Sequence, residues 1–392
     1  MQKKLIATAI GFSAAFYFAT YLTLKGGVSA APILVAGIIA LIYSLLPSKS
    51  TELKELNSNE KLFVGSLFGF ALWTMLTIYI SDGPKDFYET PARFLAAGLI
   101  AIPILKFGIQ MKWIQIGALF GTLSIIYLLW GTYNGGRFSP LMNATKWGNA
   151  IAFQAILTLA LALITNNKWL KVMFSLLALI NIYAVLLTGT RGALIPIILF
   201  GLIILILTIK KQPKQNVLII LASVIILLGS ATQLTIVQNR LVDTTADFTR
   251  ILNDDFKGSI GQRLTMWYAG ADAAIKKPFL GYGYDYSKTM RDFDAPTNGL
   301  RSSANMIAEI HSNHHSVYFD TLARSGFIGL GLFLLVIFSG IKNITYKKIL
   351  LCSAPFIGFA AAGISDSALV LGITSTYLVL AGLLLKATNL NS

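Results

Sequence analysis

Runs of about 20 apolar residues recur along nearly the whole chain, and an α-helix needs this length to cross the hydrocarbon core of a bilayer. With 55% hydrophobic and 12% charged residues among 392, the chain cannot be a water-soluble globule. The sequence therefore predicts an all-α polytopic membrane protein with both termini inside. We predict twelve spans, at residues 5–24, 28–46, 62–80, 93–107, 112–132, 148–165, 172–188, 192–209, 217–234, 326–341, 349–364 and 368–386.

Lysine and arginine are distributed differently between the loops. Sixteen of the 23 lysines fall in the short loops and tails that the positive-inside rule places inside. All nine arginines then fall outside: Arg93, Arg137, Arg191, Arg240, Arg250, Arg263, Arg291, Arg301 and Arg324. Because the guanidinium is a planar fork that grips phosphate and carboxylate bidentately, the arginines indicate an anionic ligand at the outer face. The net charge of +15 follows from these two signals and does not indicate nucleic-acid binding.

One outer loop, residues 235–325, is far longer than the others and divides the chain into spans 1–9 (1–234), the loop, and spans 10–12 (326–392). It holds six of the nine arginines and all three histidines. Its patterns predict a helix over 260–275, a turn over 281–286 and a helix from Ile310 to Arg324. A loop of this length in a compact protein is usually functional, so we expect the site there.

The spans are notable for the near absence of charged residues. An ion-coupled transporter normally places ionisable groups at mid-membrane depth, so a transporter is disfavoured, although discontinuous helices could line a path without charge. His311 and His315, at i and i+4, offer only two ligands, so we predict no metal site. The single cysteine, Cys352, lies within a predicted span and is expected to serve packing. Arg191 and Arg263 also have interpretations that involve no ligand: Arg191 as a side chain that snorkels from a helix end, and Arg263 as a solvated charge on a helix face.

Several short motifs carry a family resemblance. His315-Ser316 is followed after nine residues by Gly326-Phe-Ile-Gly329 at the start of a span. The chain also contains a Thr190-Arg191-Gly192 turn between two spans. In these motifs the chain resembles the O-antigen ligase and O-antigen polymerase superfamily of bacterial membrane glycosyltransferases. Further matches are Arg263-Leu-Thr-Met-Trp267, Pro278-Phe-Leu-Gly281-Tyr-Gly283 and Ala144-Thr-Lys-Trp-Gly148-Asn149.

The resemblance implies a GT-C-like fold with a periplasmic catalytic loop in the inner membrane of a Gram-negative bacterium. It implies a ligase that moves a polysaccharide from undecaprenyl pyrophosphate to a sugar hydroxyl of lipid A–core, with membrane lipids around it and no nucleic acid. Arg191 and Arg263 match the pyrophosphate-contacting positions, and His315 matches the catalytic base. No cofactor is implied, because the donor is already activated. Possible accessory residues are His311, His314, Asp320 and Arg137.

Several points stay open in the sequence. An O-antigen polymerase or a protein O-oligosaccharyltransferase would share the histidine motif, and a flippase would not need it. The choice of His315 rests on its distance to the paired glycines: on a helix, a shift of one residue turns a side chain by about 100°, so His314 would face elsewhere. The oligomeric state and the sugars joined are not indicated.

Overall fold

The computed structural model describes residues 2–24, 26–46, 53–209, 235–342, 344–369 and 372–390, and this part of the chain is predominantly helical. Seven of its helices are long and apolar enough to cross a membrane. They are Val28–Leu45, Ser58–Ile80, Lys85–Phe107, Met111–Thr132, Ala144–Ile164, Lys168–Leu187 and Val317–Ile341. The structure is thus that of an all-α, multi-pass membrane protein. The number twelve stays a prediction, and its ninth span, 217–234, lies outside the described residues.

In the described residues of its first part, the chain forms eight helices and a short strand. These are α1 (Gln2–Thr20), α2 (Gly26–Leu45), α3 (Ser58–Ile80), α4 (Glu89–Phe107), β1 (Ile109–Gln110), α5 (Met111–Thr132), α6 (Ala144–Ile164), α7 (Lys168–Leu187) and α8 (Leu194–Ile209). A turn of 3-10 helix, Lys85–Tyr88, leads into α4, and another, Arg191–Ala193, leads into α8.

The second part comprises a segment that the sequence predicts to lie outside the membrane, called the outer segment, and the remaining apolar helices. The outer segment contains α9 (Thr235–Leu252), α10 (Ser259–Lys276), α11 (Tyr286–Arg291) and α12 (Asn298–Ile307). The helices that follow are α13 (Val317–Ile341), α14 (Tyr346–Ser353), α15 (Phe359–Ala362), α16 (Gly372–Thr376) and α17 (Gly382–Ala387). A π-helical turn joins α14 to α15 and another joins α16 to α17. The chain then pairs Thr388–Asn389, strand β2, in parallel with β1.

Helix α6 is the central helix of the membrane part. Its apolar window is 89% buried, against 39–50% for the other six candidate spans. Polar side chains join it to its neighbours: Gln154 Nε2 donates to the carbonyl of Ala118 at 2.7 Å, and Asn181 Nδ2 donates to Thr158 Oγ1 at 3.2 Å. Hydrogen bonds of this kind stabilise helix association where lipid removes the hydrophobic driving force. Helix α6 therefore holds its outer end, at Ala144–Asn149, in a fixed position.

The tenth predicted span differs from the prediction at its start. Helix α13 begins at Val317 and is broken at Gly326, whose φ of 67° and ψ of −170° no residue with a side chain adopts readily. The break admits the 278–282 stretch: Phe327 N–H donates to Pro278 O at 2.7 Å, and Tyr282 N–H donates to Ala323 O at 2.6 Å. The motif glycines thus dock the outer segment onto the top of α13.

The outer segment has its own small hydrophobic core, formed between α10, α11 and α12. The predicted helix over 260–275 is confirmed as α10, and the predicted turn over 281–286 ends where α11 begins at Tyr286. The predicted helix from Ile310 to Arg324 is wrong in its first half. Residues before Val317 are not helical because His315 adopts a left-handed φ of 47° and Ser316 is extended.

Candidate functional site

A cavity of about 500 Å³ lies at the end of the membrane helices that adjoins α9 and α10, between these two helices and the turn that precedes α8. Arg137, Arg191 and Arg263 all line it, together with Thr244 and Ser365. No carboxylate is among the described residues of its wall. A water-accessible space with three permanent cations and no lining acid suits a ligand with more than one negative charge.

The turn that carries Arg191 is fixed to the end of α6. Helix α7 ends at Leu187, and Gly189 turns the chain with a φ of 61°. Thr190 Oγ1 then donates to the carbonyl of Ala144 at 3.0 Å. A Cβ at Gly192 would overlap the Ser365 hydroxyl, so glycine lets the two turns pack together without moving that side chain. Arg191 itself donates to Thr244 Oγ1 of α9, which directs its guanidinium to the cavity.

The other two arginines enter the cavity from different elements. Arg263 lies on α10 and its Nη1 donates to Ser259 Oγ at 3.3 Å. Burial lowers the pKa of Arg263, Asp366 opposes this shift, and Arg191 adds to it. An arginine nevertheless stays charged in a protein. Arg137 Nε donates to the carbonyl of Thr188 at 3.0 Å. Arg137, predicted as an accessory residue, therefore lines the same cavity as Arg191 and Arg263, the two residues predicted to contact pyrophosphate.

His315 lies on a strained turn and is not among the residues of the cavity wall, but its Nδ1 is 4.0 Å from Asp366, which follows the lining residue Ser365. Its left-handed backbone is held by Asn313, whose Oδ1 accepts the His315 N–H at 3.1 Å. The side chain is 30% exposed, so the ring is reachable from outside. Burial, and then the positive charge of Arg263 and the neighbouring His311, lower the pKa of His315 to about 4. The imidazole is therefore neutral at physiological pH, the state in which it can accept a proton.

Asp366 is the site residue that the sequence reasoning missed. Its Oδ1 lies 4.0 Å from His315 Nδ1, beyond hydrogen-bond length, and its Oδ2 accepts from Asn149 Nδ2 at 3.0 Å. Burial raises the pKa of Asp366 to about 6, although Arg263 and the bond from Asn149 oppose the shift. Catalytic hydrogen bonds are often long before substrate binds and shorten in the complex. Two sequence signals existed: an acid isolated in a short outer turn, and Asn149 within a family motif.

His314 and Asp320 lie away from the cavity. His314 is 1% exposed, and its Nδ1 is 3.0 Å from Asp320 Oδ1, which also accepts the His314 N–H at 3.1 Å. Asp320 Oδ2 forms an ion pair with Arg324 Nε at 3.0 Å, and Arg324 Nη2 donates to Ser312 O at 2.6 Å. These contacts hold the 312–316 turn against α13. The geometry therefore gives His314 and Asp320 a positioning role for the turn that carries His315.

The three histidines lie in a stretch of the chain that is not helical. His314 points into the protein while His315 lies beside the cavity, so the two side chains do differ in direction as predicted. The prediction attributed this difference to the rotation of side chains around a helix, and that explanation is wrong because neither residue is helical. His311 lies close to His315, with ring centroids 5.1 Å apart, and its Nε2 is 3.4 Å from Gln262 Oε1. Burial and Arg263 lower the pKa of His311 as well.

In the described part of the chain, no group of three or more His, Cys, Asp or Glu side chains is arranged to hold a metal ion. His311 and His315 approach each other, but two imidazoles leave most of a coordination shell unfilled. That the protein uses no metal stays a prediction.

The fold and the site define a multi-pass helical membrane protein with an arginine-lined cavity and a neutral histidine at one end of its helices. Residues 176–334 match a protein-family model described as O-antigen ligase. This segment includes Arg191, Arg263 and His315. The match covers less than half of the chain; it supports the resemblance to the O-antigen ligase superfamily and a function of the ligase or polymerase type. A search of curated proteins finds no match.

Proposed function

We propose that the protein is an O-antigen ligase, which transfers a polysaccharide from undecaprenyl pyrophosphate to a sugar hydroxyl of lipid A–core. The observation that carries the proposal is the pairing of two features: a cavity lined by three arginines and no acid, and a neutral histidine backed by a buried carboxylate. The first feature suits a pyrophosphate leaving group, and the second suits removal of a proton from a sugar hydroxyl.

The donor is placed with its pyrophosphate in the arginine cavity. As the bond between the anomeric carbon and the phosphate oxygen breaks, that oxygen takes the electron pair and negative charge grows on the pyrophosphate. Arg191 and Arg263 are held by Thr244 and Ser259, so their donors are in place before the reaction. Preorganised donors of this kind stabilise developing charge without reorganisation during the reaction.

The acceptor hydroxyl oxygen attacks the anomeric carbon and forms the new C–O bond, while its proton passes to His315. Because Nδ1 of His315 is the nitrogen near Asp366, the other ring nitrogen, Nε2, is the proposed proton acceptor. The imidazolium that forms is positive, and the Asp366 carboxylate favours it. Asp366 is therefore a positioning residue that acts through His315, and Asn149 fixes its direction.

Replacing Asp366 with asparagine is expected to change the pH profile of transfer. In the native protein kcat/KM should fall as pH is lowered through about 6, where Asp366 takes up a proton. His315, with a pKa of about 4, is still neutral there. Asp366→Asn should slow transfer about tenfold near neutral pH, the effect of about 1.4 kcal/mol in the barrier, and should remove the decline near pH 6. An unchanged profile in this variant would show that the decline has another origin.

Transfer is expected to proceed in EDTA and without any nucleotide. The donor bond already carries the free energy of the reaction, and the arginines supply the charge that Mg²⁺ supplies in many enzymes that use pyrophosphate. The test is a purified assay with undecaprenyl-pyrophosphate donor and lipid A–core acceptor, with and without chelator. Activity that is lost on chelation and returns with one particular divalent ion would contradict an arginine-only mechanism.

A deletion strain tests the proposed function against its nearest alternative. The lipopolysaccharide of a strain without the ligase should run as core alone, while the undecaprenyl-linked polymer accumulates. Loss of an O-antigen polymerase would instead give core with a single repeat unit. Loss of a protein O-oligosaccharyltransferase would leave the lipopolysaccharide unchanged and remove the glycan from a protein. The location in the inner membrane of a Gram-negative cell, with the site facing the periplasm, is supported by the lysine-rich loops at the opposite end of the helices.

A further inference from the structure

A second cavity, of about 390 Å³, lies at the end of the membrane helices opposite the arginine site. It is formed where α3 begins and where α4 and α17 end, with α14 beside them. Helix α3 leads from this cavity to Ser81, where Gly283 of the outer segment approaches it closely. The two cavities are therefore separated by the full length of a membrane span.

The charge of this cavity is strongly positive. Four lysines line it, and one glutamate accompanies them: Lys54, Lys106, Lys348, Lys386 and Glu60. The glutamate is already engaged, since its Oε1 is 2.8 Å from Lys54 Nζ and its Oε2 accepts the N–H of Asn57 at 2.9 Å. Among the described lining residues no carboxylate forms an ion pair with Lys106, Lys348 or Lys386, although Glu60 lies near enough to Lys348 and Lys386 to offset part of their charge.

Two of the lysines are built into the wall. Lys386 is only 6% exposed, and its Nζ donates to the carbonyls of Ser339 at 2.9 Å and Gly340 at 3.4 Å. Lys348 donates to the carbonyl of Thr388. These bonds satisfy carbonyls near the ends of α13 and α17, where a helix has no internal donor for them. They also fix two ammonium groups at the cavity, so the positive charge there is preorganised.

The third lysine is available to a ligand. Lys106 lies in the last turn of α4, partly exposed, and forms no ion pair with any described acid. Beside it the wall is closed tightly: Gly108 has a φ of 71°, and an added Cβ would come within 2.7 Å of Asn389 Nδ2. The pairing of β1 with β2 holds this closure in place. The cavity is thus a defined concave site and not a loose group of surface lysines.

We propose that this cavity binds a phosphate group, carried by the headgroup of an anionic phospholipid or present as free phosphate. Basic cavities between membrane helices bind phospholipid headgroups, and lysine binds phosphate as a compact point charge. The alternative is that the lysines serve only helix capping and membrane orientation. The proposal does not depend on the reaction at the outer site, and direct binding separates it from the alternative.

The test uses the full-length protein purified in an uncharged detergent. Native mass spectrometry measures binding of cardiolipin, phosphatidylglycerol and the zwitterionic phosphatidylethanolamine, and thermal unfolding is followed with inorganic phosphate. Lys106→Gln removes the unpaired cation without breaking any contact of the fold described above. Lys168→Gln is the matched control, since Lys168 is an exposed lysine at the start of α7, at the same end of the helices but outside the cavity.

Preferential binding of the anionic lipids, weakened about tenfold by Lys106→Gln and unchanged by Lys168→Gln, would support a lipid headgroup as the ligand. Thermal protection by inorganic phosphate with the same dependence on Lys106 would support free phosphate. The proposal is overturned if neither probe binds, if Lys106→Gln binds both probes as well as the native protein, or if Lys168→Gln loses as much affinity as Lys106→Gln.

Discussion

Replacing His315 with alanine is expected to reduce glycan transfer by about 10²–10⁴-fold, the range that removal of a general base usually costs. The reason is that His315 is partly exposed, is kept neutral by burial and by the neighbouring Arg263, and is the histidine that lies 4.0 Å from the Asp366 carboxylate. The measurement is transfer from undecaprenyl-pyrophosphate-linked glycan to lipid A–core by purified protein. The amount of inserted, monodisperse protein should be unchanged.

The left-handed backbone of His315 calls for a second variant, since alanine tolerates that conformation less well than asparagine does. His315→Asn should retain the turn and still lose transfer to the same extent. His314→Ala is the informative comparison, because His314 supports the turn through Asp320 and its loss should lower thermal stability first. Near-normal transfer by both His315 variants, with a folded but inactive His314→Ala protein, would show that the base is misassigned.

Replacing Arg191 or Arg263 with lysine is expected to slow transfer by about 10²-fold, although each change keeps the positive charge. Loss of one preorganised donor to a developing oxyanion typically costs about 10²–10³-fold, and a lysine cannot reproduce the bidentate fork. Because both arginines line the cavity proposed to hold the pyrophosphate, each replacement should slow the chemical step as well as weaken donor binding. Single-turnover rates at saturating donor separate the two.

The matched control for these variants is Arg250→Lys. Arg250 lies on α9 of the same outer segment, is exposed and is not part of the cavity wall. Its replacement should leave transfer unchanged. Native activity in Arg191→Lys or in Arg263→Lys would reduce that arginine to a membrane-topology signal. A similar loss in Arg250→Lys would indicate a general effect of charge geometry in the outer segment.

Much of the membrane architecture could be predicted because apolar runs are a local property of the chain. Most predicted spans correspond to helices in the described residues, since length and hydropathy suffice to define them. The start of the tenth span could not be placed in this way. Helix α13 begins nine residues earlier than predicted and tolerates the break at Gly326 because a distant stretch, 278–282, packs against it. Hydropathy carries no information about such a contact.

The residues of the candidate site were also predicted only in part. Arg191, Arg263 and His315 were found from motifs, and Arg137 from its position on the outer side. The structure brings the three arginines into one cavity and puts His315 beside it. Asp366 was missed because an acid in a short turn has no periodicity, and because its proximity to His315 depends on how two distant loops pack. The helical reason given for choosing His315 failed for the same cause, since contacts of Asn313 and Asp320 shape that turn.

By itself, the sequence determined that this protein is helical and that several of its segments are long and apolar enough to span a membrane, because burial in lipid acts on each segment separately. Motifs added the histidine and two of the arginines. Only the tertiary structure decided that three arginines share one cavity, that Asp366 stands behind His315, and that lysines from separate helices surround a second cavity at the opposite end. These arrangements join residues up to hundreds of positions apart, and only the packing of the helices sets the distances between them.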